Sequence, residues 1–271
     1  MSRPILVFDS GIGGLSVLSE IRKLLPDNDY CYLFDNARLP YGELAEDVLV
    51  EGCVALVKAA ASKIDAALVV IACNTASTLV LPALRAVLSI PVVGVVPAIK
   101  PAAAQTQTGH IGLLATPGTV RRSYTHELVE RFASHCKVHM FGSSELVAMA
   151  EQKMAGIELD MQRMQDILQP IRDSHIDALV LGCTHFPLLG AELQLILGEK
   201  VALIDSGEAI ANRVVHLIAN EGISDRTQPG SLQTGEAQIK MRAWYTTPSI
   251  LPGLMLSLER YGFTQVSRFS A

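Results

Sequence analysis

Short, uninterrupted apolar runs alternate along the chain with longer stretches in which apolar residues recur every three or four positions. The runs at 5–8, 30–34, 66–72, 92–96, 110–115, 138–141, 178–181 and 201–204 predict strands, since continuous short apolar segments suit strands buried on both faces. The stretches 15–25 (closed by Pro26), 46–62, 79–88, 98–105, 122–135, 159–174, 191–197 and 209–220 predict helices. This β-α alternation predicts an α/β fold with mainly parallel sheets flanked by helices on both faces. Beyond 222 the pattern loosens. Gly230-Ser231-Leu232-Gln233-Thr234-Gly235 reads as a turn-rich strand region and 251–261 as a final helix.

Two internal echoes stand out. Leu68-Val69-Val70-Ile71-Ala72-Cys73-Asn74-Thr75 aligns with Ala178-Leu179-Val180-Leu181-Gly182-Cys183-Thr184-His185. In each, a buried strand ends in a small residue, then a cysteine, then hydroxyl or amide residues. Phe8-Asp9-Ser10-Gly11 likewise echoes Ile204-Asp205-Ser206-Gly207. Two similar α/β halves are the simplest reading, with a boundary near Pro97 and Pro101. An offset of 110 residues between the cysteines is too long for a solenoid repeat.

Charge and cysteine usage narrow the function. A formal net charge of -5, with no basic run, argues against nucleic acid as a required partner. The N-terminal apolar stretch is too short for a signal peptide. No window reaches the ~18 apolar residues of a membrane span, and the best candidate, 54–76, contains Lys58, Lys63 and Asp65. Cysteines 31, 53, 73, 136 and 183 are odd in number and lack a Cys-x-x-Cys pair. That pattern suits reduced thiols in a cytoplasmic protein rather than a disulfide frame or zinc site.

In open α/β sheets, ligands bind beyond the carboxyl ends of the strands. Cys73 and Cys183 both stand there, and each is expected to precede a helix N-terminus. The orphan amides and macrodipole would then pull a thiol pKa below its usual value of about 8.5. Asn74, Thr75 and Thr184 are expected to cap those helices and to offer amides to a carboxylate. A single cysteine in an apolar run is ordinarily inert packing, the reading kept for Cys31, Cys53 and Cys136. Two in matched contexts, one followed by His185, point to chemistry.

Asp9-Ser10-Gly11-Ile12-Gly13-Gly14 follows a strand and precedes a helix, but it lacks the last glycine of a dinucleotide loop and any Gly-Lys-Ser/Thr ending. Its glycines suit close approach of amides to a small carboxylate. Asp9 either partners a thiol or ammonium group or merely caps its helix. Pro40-Tyr41-Gly42 is a turn sequence, and Glu151 by itself reads as a solvated helix residue.

Together, Phe8-Asp9-Ser10-Gly11-Ile12-Gly13-Gly14, Asp35-Asn36-Ala37-Arg38-Leu39-Pro40-Tyr41-Gly42-Glu43, Ala72-Cys73-Asn74-Thr75-Ala76-Ser77 and Gly182-Cys183-Thr184-His185-Phe186-Pro187-Leu188 resemble the bacterial glutamate racemases of the aspartate/glutamate racemase family. The resemblance runs in order through about the first 220 residues. It implies two similar domains related by a pseudo-two-fold axis, here 1–97 with 208–271 and 98–207, with glutamate held in the cleft between them. It further implies cofactor-independent racemisation, with D-glutamate passing into peptidoglycan. By motif position Cys73 and Cys183 would be the acid/base thiols. Asp9 and His185 would assist them, with Glu151 as a further acidic residue. Ser10, Tyr41, Gly42, Asn74, Thr75 and Thr184, with Asp9 and His185, would bind substrate. Relatives commonly form homodimers, and some Gram-negative ones answer to a cell-wall precursor as activator. No lysine motif suggests a pyridoxal Schiff base, so no cofactor is expected.

Other readings stay open at this point. The four-motif match favours glutamate over a relative acting on aspartate, hydantoins or maleate, and a two-domain ligand-binding protein with structural cysteines is a further alternative. A thiol redox enzyme would need the two Cα atoms within about 4.4–6.8 Å.

Overall fold

A computed structural model describes residues 3–220 and 239–270. In chain order the elements are β1 (Ile5–Asp9), α1 (Leu15–Leu24), β2 (Tyr30–Phe34), α2 (Glu46–Lys63), β3 (Leu68–Ile71), α3 (Asn74–Val87), β4 (Val92–Gly94), α4 (Ile99–Gln105), β5 (His110–Ala115), α5 (Pro117–Arg121), α6 (Ser123–Ala133), β6 (Lys137–Gly142), α7 (Glu145–Met154), α8 (Met161–Arg172), β7 (Ala178–Leu181), α9 (Gly190–Leu197), β8 (Ala202–Ile204), α10 (Gly207–Asn220), β9 (Met241–Tyr245), α11 (Pro252–Arg260) and β10 (Gln265–Arg268).

The strands form two wholly parallel sheets, ordered β10-β9-β2-β1-β3-β4 and β6-β5-β7-β8. The expected α/β class with parallel sheets is borne out. Every residue of β1, β2, β3 and β7 is buried, which is why these strands read as unbroken apolar runs. A fully buried Val, Leu, Ile or Phe contributes about 1.5–3 kcal/mol, so these central strands anchor each half.

Each sheet has helices on both faces. Tyr30, Tyr32 and Phe34 of β2 face α1, α10 and α11, while Cys31 and Leu33 face the side covered by α2 and α3. In the second sheet α7, α8 and α9 cover one face and α4 and α6 the other. The halves share strand order: β1–β4 and β5–β8 both run second, first, third, fourth across the sheet. Cys73 after β3 and Cys183 after β7 therefore occupy matching positions, as the first echo implies.

The second echo fails this test. Asp205 follows β8, whose counterpart is β4, whereas Asp9 is the last residue of β1, whose counterpart is β5. Asp205 instead accepts the Gly207 amide at 2.7 Å, capping the start of α10.

Four elements lack an expectation from the sequence. The strands β9 and β10 extend the first sheet beyond β2. Arg242 interrupts the apolar run of β9, yet its guanidinium lies over the Trp244 ring and meets the Gln265 side chain. α5 is too short to show a helical period, and α7 draws its buried stripe from Leu146, Val147, Met149 and Ala150, a weak contrast. α3 also starts five residues earlier than expected, because its polar first turn is buried: Asn74, Thr75 and Ser77 hide the period. The Gly230–Gly235 region lies outside the described residues. Among the described residues, no helix is long and apolar enough to cross a membrane.

Candidate active site

The carboxyl end of β1 turns at Asp9 into the glycine loop. Asp9 is fully buried, and both its oxygens are used: Oδ1 accepts the Ser10 amide at 2.7 Å and Oδ2 the Gly14 amide at 2.6 Å. Gly14 precedes α1, so Asp9 does serve the helix start. It also reaches the other half, where the Thr184 hydroxyl donates to Oδ2 at 3.3 Å. Burial raises the Asp9 carboxyl above its ordinary value, against the opposing pull of His185, the Cys73 thiol and the two amides.

Cys73 follows β3 and sits immediately before α3. Its Sγ lies 3.7 Å from Ser10 Oγ. The helix does supply an amide, from Ala76, but the expected depression of the thiol pKa is reversed. Burial and the negative charge of Asp9 push it well above its ordinary value. One helix terminus is outweighed by loss of water and a neighbouring carboxylate.

Cys183 departs from expectation differently. Thr184, His185 and a 3-10 turn (Phe186–Leu189) follow it, and α9 begins only at Gly190. Its partner is a side chain: Cys183 Sγ lies 3.7 Å from His185 Nδ1. His185 Nε2 lies 2.8 Å from Glu151 Oε1, and the Ile12 amide donates to the same oxygen at 2.9 Å. Glu151 is therefore not a solvated helix residue; its side chain is only 20% exposed. Burial would lower the His185 pKa, but the Cys183 sulfur and Glu151 carboxylate overcome that and hold it well above its usual value.

The glycine loop brings the halves this close. A Cβ on Gly13 would stand 2.6 Å from the His185 main-chain nitrogen, and one on Gly11 would stand 2.8 Å from His185 Nε2. Ser16 adds a tie, its hydroxyl lying 2.8 Å from the Gly13 carbonyl and 2.9 Å from the Thr184 carbonyl.

Neither Thr75 nor Thr184 caps a helix through its side chain. The Thr75 hydroxyl instead forms a buried triangle with Thr116 and Thr119, at 3.0–3.2 Å on each edge. Thr116 and Thr119 come from the second half and were not anticipated. Thr116 stands at the end of β5, the counterpart of β1, so the strand-end rule applied to every strand would have found it. Gly42 abuts Thr116. The Tyr41 hydroxyl donates to Asp35 Oδ2 at 2.5 Å, and Arg38 Nε meets the same oxygen, also at 2.5 Å. The Tyr41 phenol thus braces its own loop. Among the described residues, Asn74 Oδ1 is a buried acceptor without a hydrogen-bond partner.

Arg122 also went unanticipated, since a charged residue at a helix start carries no pattern. It crosses from the second half to donate to the Thr75 carbonyl and the Thr78 hydroxyl, both at 2.9 Å. The cavity beside Cys183, Asn74 and Thr184 is about 10 Å³, room for about one water. A larger cavity of about 710 Å³ lies outside, between Gly42–Glu46, Thr78–Leu79 and 117–124. Among the described residues, no group of three or more His, Cys, Asp or Glu is arranged to hold a metal ion.

All the sequence-predicted residues except the Tyr41 hydroxyl therefore gather around the carboxyl ends of the two sheets. Comparison with known proteins adds to this geometry. The profile of the family described as Asp/Glu/Hydantoin racemase matches residues 13–214. Glutamate racemase of Shewanella sp. (strain ANA-3) is 60% identical over 270 residues, covering 100% of this chain and 98% of that one. Escherichia coli glutamate racemase, solved in complex with L-glutamate and the activator UDP-MurNAc-Ala, is 47% identical with a TM-score of 0.89, covering 99% and 98% of the two chains. The Bacillus anthracis glutamate racemase isoform RacE1 is 30% identical with a TM-score of 0.75, covering 99% and 97%.

Proposed function

The chain belongs to the Asp/Glu/hydantoin racemase family, and from that premise we propose that it interconverts L- and D-glutamate by proton transfer between Cys73 and Cys183. The observation that carries the mechanism is the pairing of each thiol with opposite charge surroundings. Cys73 has the Asp9 carboxylate beside it, and Cys183 has His185, held as a cation by Glu151.

Inverting a stereocentre through a carbanion needs a base on one face and an acid on the other. At rest Cys73, pushed up by burial and Asp9, is the S–H acid. The His185 cation lies beside the Cys183 sulfur and would stabilise negative charge there during proton transfer. Cys183 takes the α-proton, the electron pair stays on the α-carbon, and Cys73 delivers its proton to the opposite face. The turnover leaves Cys183 protonated and Cys73 as thiolate, ready for the reverse reaction. The α-hydrogen is very weakly acidic, so oriented amides and exclusion of water must stabilise the transition state. The Ser10 and glycine-loop main chain, Asn74 and Thr184 would receive the α-carboxylate and ammonium, with the orphan Asn74 Oδ1 an acceptor for the ammonium. The threonine triangle, with Thr75 and the Tyr41–Gly42 main chain, would receive the distal carboxylate.

Cys73 and Cys183 are both buried, so on this reading the halves part to admit glutamate and close again for chemistry. On this reading the first domain comprises 1–97 with 208–271, and the second 98–207. Support comes from the two sheets and from the crossing segments, tied by the Ser206 hydroxyl on the Val96 carbonyl at 2.5 Å. The product would supply peptidoglycan synthesis in the cytoplasm, with a cell-wall precursor as activator and a homodimer as the assembly. The E. coli relative's complex with UDP-MurNAc-Ala supports the activator.

The direct test is incubation with L-glutamate in heavy water without added cofactor. Optical rotation should decay to zero while one deuterium enters at Cα per inversion. Rotation that decays without deuteration would rule out proton exchange with the thiols.

A pH dependence follows from His185. Its folded-state pKa is raised above the unfolded value of about 6.5, so its contribution to stability is fully present below that pH. It is lost as pH rises through the folded value, on the alkaline side. Thermal unfolding of the parent and of His185→Gln should therefore differ most near pH 6 and converge as pH increases. A gap that widens with alkalinity would contradict a charged His185.

A further inference from the structure

We infer that Tyr32 is a positioning residue for the Cys183 acid–base set, acting through the glycine loop. Tyr32 is fully buried in the middle of β2, and its hydroxyl donates to the Gly11 carbonyl at 2.6 Å. The other face of Gly11 packs against Glu151 and His185, and the next amide, Ile12, donates to Glu151 Oε1. The chain of contact is therefore Tyr32 hydroxyl, Gly11 carbonyl, Ile12 amide, Glu151, His185, Cys183.

Two features make this more than packing. The Glu151–His185 pair belongs to the second half, whereas the loop that receives it belongs to the first. Its oriented amide is supplied only when the halves meet. Cys73, by contrast, draws Asp9 and Ser10 from its own half. Asp9 holds the two ends of the loop through the Ser10 and Gly14 amides, and the short hydrogen bond from the strand-borne phenol fixes the Gly11 carbonyl between them. The rest of the Tyr32 ring is held by Phe34, stacked at 5.7 Å, and Phe263 at 6.1 Å, so the hydroxyl is aimed by rigid neighbours. Burial and the nearby Asp9 and Glu151 charges keep the phenol protonated, the form needed to donate.

The inference rests on the two-thiol reading, and the experiment separates the two. Tyr32→Phe keeps the ring and removes the donor. α-Proton exchange into heavy water is measured from L- and from D-glutamate in the same preparation, alongside Cys183→Ser. The ratio of the two rates does not depend on how much of the variant is folded. Cys183→Ser should abolish exchange from one enantiomer selectively, identifying the hand that Cys183 serves. Tyr32→Phe should lower exchange from that same enantiomer about tenfold, and from the other by no more than about twofold. kcat should fall more than KM rises, because the Gly11 carbonyl bears on the Glu151–His185 pair while the Ser10 and Gly14 amides stay tied to Asp9.

If Cys183→Ser shows no selectivity, the two-thiol reading fails. If Cys183→Ser is selective but Tyr32→Phe lowers both rates equally, or neither, the positioning role alone is overturned.

Discussion

Cys73→Ser and Cys183→Ser should each lower racemisation by about 10²–10⁴-fold while leaving thermal stability nearly unchanged. Serine is close in size but a far weaker base and acid near neutral pH, and neither sulfur carries a hydrogen bond shorter than 3.7 Å that the fold depends on. The enantiomers of glutamate have equal free energy, so kcat/KM must fall equally in both directions whichever thiol is lost. The asymmetry appears instead in exchange. A variant retaining one thiol can still remove and return the α-proton on the face that thiol serves. Each mutant should therefore wash deuterium into one enantiomer faster than into the other, with opposite preference in the two mutants. Mutants that share the same preference, or that keep near-parental turnover, would sink the opposed-thiol mechanism.

Asp9→Asn should be nearly as damaging, for reasons the geometry supplies. Both carboxylate oxygens accept main-chain amides, from Ser10 and from Gly14. An asparagine offers one acceptor, so its NH₂ must face one of those N–H donors at a fully buried position. That leaves buried donors opposed at about 1–3 kcal/mol, and it loosens the Thr184 contact between the halves. Activity should fall about 10²-fold or more. A second measurement isolates the electrostatics. After burial, Asp9 is the next influence that raises Cys73, so its neutralisation should move Cys73 alkylation to lower pH. An unmoved alkylation profile would mean that Asp9 does not act on that thiol.

The reversal at Cys73 shows where local reasoning stops. The sequence places the thiol before a helix, and a helix terminus by itself favours thiolate. Burial and the charge on Asp9 act in the other direction and win, yet neither can be seen without knowing how deeply the β1 and β3 ends are covered. Cys183 makes the complementary point. No α-helix starts beside it, and its charged partner owes its state to Glu151, 34 residues earlier on α7.

Glu151 shows the same limit from the other side. Met149-Ala150-Glu151-Gln152 carries no pattern that separates it from any exposed helical glutamate. Only the approach of the Gly11–Gly13 loop makes it a half-buried partner of His185. Thr116 and Thr119 were legible in principle, since β5 matches β1 and strand ends collect functional groups. Arg122, Tyr32 and the β9–β10 extension were not, because a lone polar residue in a helix start or strand looks like any other.

What the sequence determined alone is whatever depends on neighbours along the chain. Buried central strands declare themselves as apolar runs, helices as three-to-four periodicity, and the matched strand-Cys-polar segments as two counterparts in two similar halves. What only the tertiary structure decided is whatever depends on the distance between atoms far apart in the chain. Which side chains the second half presents to the glycine loop, how completely water is removed, and therefore what charge each thiol feels, are set by packing between the halves, and electrostatic energies follow separation and burial rather than position in the chain.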